Sequence, residues 1–171
     1  MTSAHRFPHS AGRSLGNLRQ FVVLLCAALA LLLPSASPAA ELHDAMQDTR
    51  KTLEDPAAGT ERLEQAQNNL RAAIKENPDS ERQGPARLLM ARLSSAGGQF
   101  HQAVEILDLL RERKPAGLAQ DDVLTALVHA LNGKGDYLRA VELTRLLLKQ
   151  EGYRDDPRRP GLIYETAWQQ E

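Results

Sequence analysis

The sequence predicts an all-α protein, a right-handed α-solenoid of about three helical hairpins that is closed by a C-terminal capping helix. Apolar residues recur at three-and-four spacing in successive segments, as one face of an amphipathic helix requires. Similar segments return at an offset of 37 residues, which is typical of a repeat architecture. No segment alternates apolar and polar residues with a period of two, so we expect no strands.

Residues 1–39 have the three-part organisation of a secretory signal peptide. Three arginines precede the apolar run from Phe21 to Leu33, and small residues follow this run. The run has 13 residues, fewer than the roughly 20 with which a helix spans a bilayer. We therefore expect cleavage near Ala39, no stable membrane insertion, and a periplasmic or secreted protein. The alternative is an uncleaved inner-membrane anchor.

The expected mature chain, residues 40–171, has 132 residues, a formal net charge of −4 and no cysteine. Without cysteine it has neither disulfides nor the thiolate ligands of common zinc and iron–sulfur sites. Its nearly balanced charge provides no extended basic surface of the kind that binds nucleic acid. We therefore expect a protein or peptide partner and no nucleic acid.

Three copies of one pattern align at the 37-residue offset. The run Ala-Val-Glu occurs after Gly98 and again after Gly135, and an aromatic residue stands two positions after each glycine. One position of the pattern is alanine in every copy: Ala66, Ala103 and Ala140. Because helix axes approach closely only where side chains are small, this ladder predicts equivalent helix crossings in the three repeats.

Each copy contains two predicted helices, and the repeats span about residues 47–83, 84–120 and 121–157. In the first repeat, Pro56 and Gly59 limit the length of the first helix. In the second repeat, the pair Gly97-Gly98 separates the two helices, and the second helix is expected from about Gln99 to Arg113.

The third repeat has candidate caps at the start of both helices. Asp121 or Asp122 can cap the first helix, and Asp136 can cap the second. Leu138, Val141, Leu146 and Leu148 add apolar surface outside the main stripe of the second helix. We therefore expect this helix to pack against neighbours on two sides.

The tail is predicted to form a capping helix within residues 160–171. A run rich in Asp, Pro and Arg separates it from the third repeat, and Tyr164 and Trp168 lie four residues apart on one face. Because the end repeats of a solenoid need a cap, we expect Trp168 to be buried against the third repeat. The alternative is that Trp168 is an exposed aromatic anchor for a partner.

We find no group of residues that would carry catalysis. The histidines of the mature chain are His43, His101 and His129, and no two of them have the four-residue spacing of a helical zinc motif. The chain has neither a Gly-x-Ser-x-Gly motif nor a phosphate-binding glycine loop. We therefore expect a non-catalytic protein with no metal and no cofactor.

The repeated pattern resembles the tetratricopeptide repeat family. Gly135, Tyr137 and Ala140 match its turn of glycine, any residue and an aromatic, followed by a small residue. The second repeat matches it at Gly98, Phe100, Ala103 and Pro115. The likeness covers roughly residues 44–152, and it departs from the family in its 37-residue period and in the absence of the first-helix tryptophan.

The resemblance implies that the first helices of the pairs line a groove for a partner. The family's ligand-facing positions correspond here to Leu88, Arg92, Ser95, Asp122, Thr125, His129 and Asn132. Among these, Arg92 can offer a fork of donors to a carboxylate. The alternative is that these side chains are ordinary solvated helix residues.

We therefore expect a non-catalytic periplasmic adaptor that holds a segment of another exported protein during assembly of an envelope complex. The alternative is a dedicated accessory subunit of a periplasmic enzyme or cytochrome maturation system. An adaptor is expected to have several clients, whereas a subunit is expected to form one stoichiometric complex.

Overall fold

The computed structural model describes residues 37–149 and 157–168, and within the second range it describes the side chains of residues 157–161, 163 and 164. All elements in these ranges are α-helices. They are α1 (Pro38–Glu54), α2 (Thr60–Glu76), α3 (Gln83–Ala96), α4 (Phe100–Arg113), α5 (Gln120–Lys134), α6 (Tyr137–Lys149) and α7 (Arg159–Trp168). Most of the predicted leader lies outside the described residues.

The first six helices form three stacked pairs, α1 with α2, α3 with α4, and α5 with α6. The second helix of each pair contacts the first helix of the next pair, and the first helices α1, α3 and α5 contact one another in order. This arrangement confirms the predicted all-α stack of helical hairpins. It also places the first helices together on one side, where a groove can form.

The alanine ladder occupies equivalent, buried positions in α2, α4 and α6. Ala66 is 2% exposed, and Ala103 and Ala140 are fully buried. One turn later the chain places Leu70, Leu107 and Thr144, all of them buried as well. The 37-residue offset therefore describes repeated packing as well as repeated sequence.

The buried apolar side chains form two clusters, and α3 contributes to both of them. Leu88 and Ala91 belong to the larger cluster with α4, α5 and α6. Leu89 and Leu93 belong to the smaller cluster with α1 and α2. Ile106 of α4 packs against both clusters. Helix α3 is therefore the element that joins the first pair to the rest of the stack.

Helix α1 departs from the other first helices at both ends. It ends at Glu54, directly before the turn at Pro56 and well before the position that matches the end of α3, as the sequence predicts. At the other end it begins at Pro38, ahead of Met46, which matches the start of α3. The predicted cleavage near Ala39 would therefore leave α1 with all but its first two residues.

Two glycines near the end of α5 occupy positions where a side chain would be unfavourable. Gly135 has a φ of 84°, a left-handed conformation that side chains with a Cβ rarely adopt. Within α5, a Cβ on Gly133 would overlap the ring of Phe100 at the start of α4. Glycine at this position therefore lets the aromatic ring of one repeat lie against the first helix of the next.

One prediction for the third repeat is wrong. Helix α5 begins at Gln120, so Asp121 and Asp122 lie in its first turn and neither is the N-cap. Their negative charges interact favourably with the positive end of the helix dipole there. Helix α6 does contact neighbours on two sides, α5 and α7, and Leu148 packs against the larger cluster, but Leu138 is 83% exposed and Leu146 is 54% exposed. The structure does place Asp136 directly before α6.

The predicted C-terminal helix is present as α7, and it contacts α6. Tyr164 is 65% exposed, whereas Met90 and Leu127 at the matching positions of α3 and α5 are buried. Helix α7 therefore does not pack in the way that the first helices α3 and α5 do. The side chain of Trp168 lies outside the described residues, so its burial stays a prediction. No described helix combines the length and apolar character needed to cross a membrane.

Candidate functional site

The first helices surround a cavity of about 410 Å³, which we call the groove. One residue comes from the end of α1, three from α3, three from α5 and two from the segment around the start of α7. The lining residues are Leu53, Arg92, Ser95, Ala96, Thr125, Ala126, His129, Arg158 and Gly161.

Four of the seven predicted ligand-facing residues line the groove together. Ser95 follows Arg92 by three residues in α3, and His129 follows Thr125 by four residues in α5, so each pair lies on one helix face. Arg92 and His129 also stand at equivalent positions, one repeat apart. Regular stacking of α3 on α5 therefore brings two nitrogen-bearing side chains into one cavity.

The groove combines apolar walls with basic groups. Leu53, Ala96 and Ala126 supply the apolar part, and Arg92, His129 and Arg158 supply nitrogen donors. No acidic residue lines it among the part of the chain that the structure describes. The half-buried Arg92 guanidinium forms no ion pair with any described residue. This arrangement suits an apolar side chain next to a carboxylate or a backbone carbonyl.

Leu88 was predicted to face the groove, but the structure corrects this: it is only 6% exposed and belongs to the larger core cluster. Leu88 stands at the position that matches Thr125. Helix α3 packs against helices of both neighbouring pairs, however, so a larger part of the surface of α3 is buried. Leu88 therefore stabilises the stack and presents no surface to the groove.

Asp122 and Asn132 lie on α5 but do not line the groove. The Asp122 carboxylate accepts a hydrogen bond of 2.7 Å from Nη1 of Arg158, and this ion pair is about 40% exposed on both sides. Asp122 therefore binds a residue of its own chain, and through it holds the segment before α7 at the edge of the groove. Asn132 is half-buried near the end of α5.

Five lining residues were not predicted as ligand-facing: Leu53, Ala96, Ala126, Arg158 and Gly161. Ala96 and Ala126 each directly follow a predicted residue in the sequence. Leu53 reaches the groove because α1 ends early and places its last turn there. Arg158 and Gly161 lie outside the repeats, and their position depends on the long-range pair with Asp122. No local pattern in the sequence signals that contact.

No group of three or more His, Cys, Asp or Glu side chains is placed to hold a metal ion within the described ranges. Among its described lining residues, the groove places the nitrogen donors of Arg92, His129 and Arg158 beside apolar walls. Its geometry accordingly suits binding.

A family model for the tetratricopeptide repeat matches residues 57–127, from the connection after α1 to the middle of α5. This range includes α2, α3 and α4 in full and five of the nine groove residues, three in α3 and two in α5. No curated protein and no solved structure matches the chain.

Proposed function

The chain contains tetratricopeptide repeats, which act in protein–protein interaction and are generally non-catalytic, and we propose that its groove binds an extended or helical segment of another protein. The observation that carries this proposal is the convergence of Arg92 and His129, one repeat apart, on one apolar cavity. Regularly spaced side chains along a groove match the regular spacing of groups along a peptide.

The proposed partner is an exported protein, and the proposed site of action is the periplasm. This part of the proposal depends on the signal-peptide pattern of residues 1–39, with its arginines, its 13-residue apolar run and its small residues near Ala39. Intact-mass measurement of the protein from an envelope fraction tests it. The expected mass corresponds to residues 40–171, and a full-length mass would contradict cleavage.

Within that compartment, we propose an adaptor that holds clients during assembly of an envelope complex. The second candidate is an accessory subunit dedicated to one periplasmic enzyme system. Neither role requires chemistry by this chain. The number of proteins that bind through the groove distinguishes the two: several clients indicate an adaptor, and one stoichiometric complex indicates a subunit.

The test is co-purification with the tagged chain from envelope extract of the source organism. The double variant Arg92→Ala with His129→Ala should recover at least about tenfold less partner, because two donors are lost from the centre of the interface. The matched control is Arg145→Ala with His101→Ala, which removes the same residue types from exposed positions on the second helices α6 and α4. The control should recover as much partner as the unaltered chain. Equal recovery with both double variants would contradict the proposal.

A further inference from the structure

A second cavity, of about 440 Å³, lies between α2 and α4 over the N-terminal half of α3. It shares no lining residue with the groove. Its apolar side chains include Ile74 of α2, Met90 of α3, and Ile106 and Leu109 of α4. Leu109 is 45% exposed, so this cavity presents apolar surface to solvent.

Three arginines also line this cavity, and each comes from a different helix: Arg71 from α2, Arg87 from α3 and Arg113 from α4. All three are exposed. No aspartate or glutamate is among its described lining residues. The expected mature chain has a net negative charge, so this concentration of positive charge differs from the average of its surface.

The three guanidinium groups have no carboxylate partner among the side chains that the structure describes. Nη1 of Arg71 donates to Oδ1 of Asn68 at 2.9 Å, and Nε of Arg87 donates to Oε1 of Gln83 at 3.1 Å. Both acceptors are neutral amides on the arginine's own helix. By contrast, four other arginines form ion pairs with aspartates: Arg62, Arg111, Arg139 and Arg158.

We propose that this arginine-rimmed cavity, defined by Arg71, Arg87 and Arg113 around its apolar floor, binds a protein segment in which acidic side chains stand next to large apolar ones. Charge complementarity carries the inference, since three guanidinium forks can each bind a carboxylate through paired hydrogen bonds. The apolar floor accepts the neighbouring side chains, whose burial contributes free energy in proportion to their area.

This surface is independent of the groove. The groove is lined by the first helices and the segment around the start of α7, whereas the arginine-rimmed cavity is lined mainly by the second helices α2 and α4. The protein can therefore hold two segments at once, with α3 contributing residues to both surfaces. This inference does not depend on the function proposed for the groove.

A random dodecapeptide display library, selected on the purified full chain, tests the inference. Peptides that bind here should be enriched in Asp or Glu adjacent to Leu, Ile, Met or Phe. The most enriched peptide is then labelled with fluorescein, and its affinity is measured by fluorescence anisotropy on a set of variants. All variants change exposed residues except the groove variant, which includes the half-buried Arg92, and circular dichroism checks that each retains its helix content.

The triple variant Arg71→Gln, Arg87→Gln and Arg113→Gln should weaken binding of this peptide at least about tenfold. Leu109→Ser should weaken it through loss of apolar contact. The matched control, Arg50→Gln with Lys134→Gln and Arg145→Gln, removes the same charge away from the cavity and should stay within about twofold, because distant charges are screened. The groove variant Arg92→Ala with His129→Ala should bind the peptide normally.

Three results would overturn the inference. The first is a selection that enriches no peptide or enriches peptides without acidic residues. The second is equal weakening by the triple variant and by its charge-matched control. The third is loss of binding in the groove variant with full binding in the triple variant.

Discussion

Two buried threonines of α1 illustrate how single residues set the stability of the first pair. Thr49 is fully buried and Thr52 is 1% exposed, yet neither hydroxyl has a hydrogen-bond partner among the described residues. Thr144 of α6 is buried as deeply, but its hydroxyl donates to the Ala140 carbonyl at 2.8 Å. A buried hydroxyl without a partner costs about 1–3 kcal/mol of free energy of unfolding.

Thr49→Val should therefore stabilise the protein by about 1 kcal/mol, since it removes an unbonded hydroxyl and keeps the branched shape. Val123 occupies the matching position of α5 and is fully buried there. The control Thr144→Val loses a bonded hydroxyl and should destabilise the protein by about 0.5–1.5 kcal/mol. Urea unfolding followed by circular dichroism measures both changes. Equal destabilisation by the two substitutions would show that the Thr49 hydroxyl is bonded.

At the scale of elements, neighbouring repeats fit together through pairs of complementary size. Phe100 at the start of α4 lies against Gly133 of α5, where a Cβ would overlap its ring. One repeat earlier, the matching positions carry Leu63 and Ala96, a smaller side chain and a larger partner. The larger aromatic residue is paired with glycine, and the smaller leucine is paired with alanine. The side-chain sizes at these two positions are therefore complementary at each junction between repeats.

Gly133→Ala should destabilise the chain, because displacement of the Phe100 ring outweighs the gain of about 1 kcal/mol from replacing glycine in a helix. In the Phe100→Leu background the same substitution should be neutral or stabilising, since the pair then copies Leu63 and Ala96. A double-mutant cycle in urea measures this coupling, expected at about 0.5–3 kcal/mol. Gly97→Ala is the control, because its φ of −82° admits a side chain and its nearest neighbour lies 3.5 Å away. Additive effects of Gly133→Ala and Phe100→Leu on the free energy of unfolding would contradict this complementarity.

The order of the elements could be predicted because local signals mark their ends. Gly97-Gly98 and Pro115 bound α4, and its predicted start at Gln99 differs from the observed start at Phe100 by one residue. The early start of α1 was missed, because the small residues near Ala39 were assigned to a cleavage site. The exposure of Leu138 was missed, because apolar spacing cannot show whether a neighbouring helix is present.

At the scale of the whole molecule, both cavities depend on which helices lie side by side. Arg92 and His129 could be placed in one groove because the resemblance to the tetratricopeptide repeat assigns both to ligand-facing positions, one repeat apart. Arg158 could not, since it lies outside the repeats and long-range contacts, including its pair with Asp122, bring it there. Arg71, Arg87 and Arg113 are too widely spaced in the sequence to form a motif, and only the stacking of α2, α3 and α4 collects them.

The central claim is that the first helices, with Arg92 and His129 at the centre, recognise a protein partner. The most direct measurement is photo-cross-linking in the source organism from a benzoylphenylalanine placed at Ser95 in the groove, with Glu142 on α6 as the control position. The account predicts protein adducts from Ser95, few from Glu142, and at least about tenfold loss of the Ser95 adducts when Arg92 and His129 are both changed to alanine. Equal adducts from the two positions, or adducts at Ser95 that survive the double substitution, would contradict it.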